Sequence, residues 1–160
     1  ALTADGPGRP GEPPTRPSAV LFLCTGNAGR SILAEALLNH LGGPAFRAHS
    51  AGSRPKGQVN PHALAVLREM GVAAGGLRSK SWDAFAGPDG PALDAVITLC
   101  DDAAGQACPV WPGQPVREHW SLPDPSAASG SEAEIARAWS EVAARLRARI
   151  ETLVARGPRP

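Results

Sequence analysis

The run Val20-Leu21-Phe22-Leu23 is apolar at every position and stops at Cys24. Thr25-Gly26-Asn27-Ala28-Gly29-Arg30 follows, and then Ser31-Ile32-Leu33-Ala34-Glu35-Ala36-Leu37, with Leu33, Leu37 and Leu41 at helical spacing. A short apolar run without polar alternation suits a strand buried on both faces, the environment of a parallel sheet. A glycine-bearing turn leading straight into a helix then fixes where the loop sits. It lies at the carboxyl end of the strand, where open α/β sheets hold their ligands.

The residues of that loop suit an oxyanion. A cysteine leaving a buried strand points its sulfur into a loop of converging backbone N–H groups, and the helix N-terminus adds unpaired donors and a positive dipole end. Arg30 supplies a planar fork for two oxygens. The same donors stabilise a thiolate, the nucleophilic form of cysteine, whereas a free thiol of pKa about 8.5 is only a few per cent ionised at pH 7. Thr25, Gly26, Asn27, Ala28, Gly29, Arg30 and Ser31 are therefore the expected oxyanion-binding residues, with Cys24 as nucleophile. The plainer alternative is a small buried residue at a strand end beside a surface arginine.

At 160 residues the chain suits one domain with one core, and a net charge of +1 gives no broad field for nucleic acid or a membrane surface. Residues 1–18 are rich in Pro and Gly and have no apolar core, so they are expected to be a disordered leader rather than a signal peptide. The domain is expected over 19–155, with 156–160 as a tail. No transmembrane span is evident, a cytoplasmic monomer is expected, and three cysteines in such a chain point to reactive thiols or metal rather than to a disulfide framework.

Strands and helices alternate along the chain. Ala95 to Leu99 reads as a second buried strand and Phe46 to Ser50 as a weaker one. Asn60-Pro61 starts a helix that carries Leu64 and Leu67 and stops at Gly71. Ser131 with Glu134 forms a capping box, after which Ile135, Trp139, Val142, Leu146, Ile150 and Leu153 recur every three to four residues. The expected fold class is α/β, an open parallel sheet flanked by helices on both faces.

Cys100 follows the second strand and Cys108 comes eight positions later. Neighbouring parallel strands can bring Cys24 and Cys100 to one rim of the sheet. A helical segment between Cys100 and Cys108 would hold their Cα atoms about 12 Å apart, beyond the roughly 7 Å limit of a disulfide, so a bridge there needs that segment to unwind. The plainer reading is a pair of inert thiols. The spacings match no compact zinc-ligand pair. Asp124, held between Pro123 and Pro125, is the candidate general acid.

The loop Cys24 to Ser31, with Ala34-Glu35 after it and Asp124-Pro125 late in the chain, resembles the signature of the low-molecular-weight protein tyrosine phosphatase superfamily. More narrowly, Ser50-Ala51-Gly52, Val59-Asn60-Pro61, Val96 to Asp101, Cys108-Pro109 and Glu118-His119-Trp120, in that order, are similar to the arsenate reductases built on that fold. One departure is that loops of the family commonly read Asn-Ser-Cys-Arg or Asn-Ser-Ala-Arg, where this chain has Asn27-Ala28-Gly29-Arg30.

The resemblance implies a three-thiol relay in arsenic detoxification. Cys24 attacks arsenate, with Arg30 and Asp124 assisting; Cys100 attacks the Cys24 sulfur and expels arsenite; Cys108 carries the disulfide outward. It implies no bound cofactor and an external thiol reductant, thioredoxin or glutaredoxin with glutathione, while phosphate and sulfate compete for the loop. It also implies that Asn27 and Ser31 order the loop and the nucleophile, and that Asn27, Glu35 and Ser50 are a candidate site for a monovalent cation.

Two rival readings stay open. One is a tyrosine phosphatase, against which stands the scarcity of aromatic walls: the chain has no tyrosine, Trp139 belongs to an apolar helix face and is expected in the core, and Trp120 is the candidate for lining the site. The other is a non-enzymatic thiol switch or anion-binding module.

Overall fold

In the computed structural model, residues 16–87, 90–100, 111 and 115–157 are described. Strand β1 (Ser18–Cys24) lies inside the sheet, between two neighbouring strands, and is buried on both faces. Val20 and Phe22 join one apolar cluster, and Ala19, Leu21 and Leu23 join another. β2 (Phe46–Gly52) and β3 (Ala95–Thr98) pair with β1 on either side, and β4 (Val116–His119) pairs with β3. The sheet is parallel throughout, in the order β2-β1-β3-β4.

Helices α1 (Arg30–Leu41), α2 (Pro61–Glu69) and α3 (Glu132–Arg156) cover the face of Val20 and Phe22. The opposite face is covered by a 3-10 turn, Trp82–Phe85, together with Leu93 and Trp111. α1 is buried nearly all round, including Ser31, Ile32, Leu33, Ala34, Ala36, Leu37 and Leu38, because it packs against both the sheet and α3. The Asn60 side chain caps α2 by accepting from the His62 N–H at 2.8 Å. At the other end Val72 N donates to Leu67 O and Gly71, at φ 72°, donates to Arg68 O, so glycine closes the helix where the sequence expected it. The capping box of α3 is present on Ser131 and Glu134.

Three points differ from expectation. β4 carries no apolar run; it is an edge strand, largely exposed, whose register comes from β3 rather than from its own side chains. Trp120 does not line the site. It follows β4 and turns onto the helical face, 3 % exposed, with its ring 5.8 Å from that of Phe22 and the Arg149 guanidinium over it. β1 also begins at Ser18, a buried residue inside the stretch expected as leader. Among the described residues no helix is long and apolar enough to cross a membrane.

The strand order creates the crevice that matters. From β1 the chain crosses to β2 on one side, and later places β3 on the other, so the connections diverge at the carboxyl ends of β1 and β3. Cys24 ends β1 and Cys100 lies just beyond β3.

Candidate active site

The loop after β1 is held from outside by its carbonyls. Arg54 N donates to Thr25 O, Lys56 N to Gly26 O and Asn60 N to Ala28 O, each at 2.9 Å. A trans peptide that turns its C=O outward turns the next N–H inward, so the amides of Gly26, Asn27 and Gly29 face the hollow of the loop. The fit against β2 is close: a Cβ on Gly52 would lie 2.5 Å from Thr25 O, so only glycine lets the two backbones approach. Gly29 is the N-cap of α1 and provides no side-chain cap, which leaves the first-turn donors of the helix to an anion.

Asn27 organises the sulfur. Its φ of 45° lies in the left-handed region, which asparagine tolerates better than most residues. The Lys80 N–H donates to Asn27 Oδ1 at 2.8 Å, and this fixes the amide so that Nδ2 points the other way. Nδ2 donates to Ser31 Oγ at 2.8 Å and to Ser50 Oγ at 3.0 Å. Ser31 accepts from Asn27, which leaves its own proton available to a thiolate at Cys24 Sγ, 2.9 Å away. Ser50 in turn donates to Glu35 Oε1. Asn27, Ser31 and Ser50 are fully buried, so the chain of donors is sheltered from water.

Arg30 Nη1 donates to Leu122 O at 2.8 Å, and Nη2 stands 3.7 Å from Asp124 Oδ2. Asp124 caps the 3-10 turn Pro125–Ala127, accepting from Ser126 N and Oγ. Partial burial pushes its pKa up, but the two Ser126 bonds and the charges of Arg30 and Lys56 outweigh it and hold the carboxyl below its ordinary value. A cavity of about 260 Å³ opens over the loop, walled by the loop itself and by Arg54, Lys56, Asn60, Asp124, Ser126 and Trp139.

The structure thus brings Cys24, Thr25, Gly26, Asn27, Ala28, Gly29, Arg30 and Asp124 to one cavity, with Ser31 behind the sulfur. Cys100 is buried against Cys24, and Thr25 Oγ1 lies 3.4 Å from Cys100 Sγ. Cys108 lies outside the described residues. Asn27, Ser50 and Glu35 are joined as one network, and Lys80 Nζ stands 3.8 Å from Glu35 Oε1. Trp139 proves to be both core and wall: it is 1 % exposed, stacks on His62 at 5.9 Å, and its edge reaches the cavity. Arg54, Lys56, Lys80 and Leu122 carried no signal in the sequence, since each acts from a loop remote in the chain. Ser126, two residues after Asp124, was findable as the donor of an Asx turn.

The family model described as low molecular weight phosphotyrosine protein phosphatase matches residues 19–157. An arsenate reductase of Bacillus subtilis is 37% identical over 115 residues, 72% of this chain and 79% of that protein. A solved arsenate reductase in the phosphate binding state superposes with a TM-score of 0.69 at 29% identity, covering 87% of this chain and 98% of the other. The thioredoxin-dependent arsenate reductase of Corynebacterium glutamicum superposes with a TM-score of 0.60 at 30% identity, over 87% of this chain and 63% of that one.

Proposed function

Because this chain belongs to the low molecular weight phosphotyrosine protein phosphatase family, and its relatives include arsenate reductases, we propose that it reduces arsenate to arsenite, with Cys24 as nucleophile and a thioredoxin-type dithiol as final reductant. The observation that carries this reading is a second cysteine, Cys100, packed against Cys24 at the switch point of the sheet. A phosphatase needs only water after its first step; a reductase needs a second sulfur within reach.

The first step is attack of the Cys24 thiolate on arsenic, forming an S–As bond while one oxygen leaves as water. The Ser31 hydroxyl stabilises the thiolate, while Arg30 and the inward amides of the loop hold the remaining oxygens. Asp124, with its pKa held below the ordinary carboxyl value, is ionised at neutral pH. A bound oxyanion neutralises Arg30 and adds its own negative charge, which raises the carboxyl so that it can take a proton from solvent and pass it to the leaving oxygen.

Cys100 then attacks Cys24 Sγ. An S–S bond forms, the S–As bond breaks, and its electron pair stays on arsenic, which leaves as arsenite. Two thiols have been oxidised and arsenic has gained two electrons. Cys108 displaces the Cys24 thiolate from that disulfide, and the resulting Cys100–Cys108 bridge is reduced by thiol–disulfide exchange.

The cavity also disfavours an aryl phosphate. Trp139 is its sole aromatic wall among the described residues, and at 1 % exposure it offers an edge rather than a stacking face. The test is arsenate turnover coupled to thioredoxin and its reductase, beside hydrolysis of an aryl phosphate. Arsenate turnover that is lost in Cys24→Ser is the expected result. Aryl phosphate hydrolysis with no arsenate turnover overturns the reading in favour of a phosphatase, and neither activity leaves an anion-binding module.

A further inference from the structure

Glu35 is a carboxylate set into the interior beneath the nucleophile, and a buried charge must be compensated. Its Oε1 accepts from Ser50, which accepts from Asn27, which donates to Ser31, which bonds the Cys24 sulfur. The partner in charge is Lys80. Its Nζ lies 3.8 Å from Glu35 Oε1, with side chains only 20% and 15% exposed, and the same ammonium donates to Arg78 O at 3.0 Å. The Lys80 backbone is pinned on both sides, its N–H donating to Asn27 Oδ1 and its C=O accepting from Gly52 N, so its side chain starts from a fixed point beside the network.

We propose that Lys80 is a tethered counter-cation that takes the place of a free monovalent ion beside Asn27, Glu35 and Ser50, and that it acts as a positioning residue for the Cys24 thiolate. Ser50 Oγ and Glu35 Oε1 are the oxygens such an ion would use, and Lys80 already supplies the charge there. Potassium or sodium therefore has no further role in this chain. Burial, helped by the charge of Arg78, holds the pKa of the ammonium below its ordinary value, while the Glu35 carboxylate opposes that fall.

The test uses the full chain in potassium, sodium or choline chloride at one ionic strength of about 0.1 M, so that general screening is equal. Melting temperature and the rate of Cys24 alkylation are read in each. The wild type is expected to give the same values in all three salts. Lys80→Met is expected to melt about 5 °C or more lower in choline and to alkylate more slowly at neutral pH, and both losses are expected to be partly reversed by potassium or sodium. Lys80→Arg should behave as wild type. If Lys80→Met does not fold in choline, Glu35→Gln with Lys80→Met removes both charges and should fold with no cation response. Saturable stabilisation of the wild type by potassium or sodium over choline overturns the proposal, as does a Lys80→Met protein indistinguishable from wild type in choline. The inference rests on Cys24 as nucleophile but not on arsenate as substrate. Melting and alkylation report the ion pair even if no arsenate turns over.

Discussion

The indole of Trp139 stands where a side chain on residue 29 would go. A Cβ on Gly29 would lie 2.9 Å from Trp139 Cη2 and 3.2 Å from Cζ3. The glycine that departs from the commoner loop sequences of the family is thus matched by a large ring from α3. The ring has little freedom, being stacked on His62, whose Nε2 lies 3.6 Å from Glu132 Oε2.

Gly29→Ala should therefore cost about 1–3 kcal/mol of stability through overpacking and weaken phosphate binding to the loop. Trp139→Phe withdraws the two ring atoms that clash. The double variant Gly29→Ala, Trp139→Phe should recover phosphate affinity relative to Gly29→Ala alone, measured by protection of Cys24 from alkylation. Simple addition of the two losses would show that the ring and the loop are not coupled.

Arg30 is aimed by a hydrogen bond to Leu122 O and by the charge of Asp124, whose Oδ2 stands 3.7 Å from Nη2. A lysine ammonium cannot keep that orientation and also present a fork to two oxygens. Arg30→Lys should lower kcat/KM for arsenate about 100-fold or more despite the conserved charge. An unchanged value would remove Arg30 from the oxyanion clamp.

Cys100 separates reduction from hydrolysis. Cys100→Ser should abolish multiple turnover with arsenate and spare any aryl phosphate hydrolysis, because water needs no second thiol. Cys108→Ser should stall as a Cys24 to Cys100 disulfide, identified by peptide mapping. Full arsenate turnover by Cys108→Ser with glutathione and glutaredoxin would refute the three-thiol relay.

Asp124 gives a pH signature. Its folded pKa lies below the unfolded value of about 3.9, so its charge contributes stability above that pH and the contribution disappears as pH falls through the lower folded value. The melting temperature of Asp124→Asn should lie below that of wild type at neutral pH, and the gap should close in acid. The same variant should lose about 10²-fold or more in kcat for arsenate at neutral pH. A gap that widens in acid would mean that the carboxyl is held high, not low.

The sequence by itself determined the β1, loop and α1 unit, the cap of α2 on Asn60, and the capping box and apolar face of α3. Each of these is a local pattern, in which the residues that make the contact lie within a few positions of one another. Cys24, Arg30 and their loop were legible for the same reason. Tertiary structure alone decided the rest. β4 exists because β3 offers it hydrogen bonds, not because Val116 to His119 has a strand pattern. Lys80 reaches Glu35, and Trp139 reaches Gly29, across 45 and 110 positions of the chain, and no periodicity records such a meeting. Trp120 is buried away from the cavity, and Trp139 is core and cavity wall at once, for a related reason. Burial and access to the cavity depend on which neighbours a strand order brings together. The order β2-β1-β3-β4 places Trp120 beside Phe22 and brings Cys100 to Cys24.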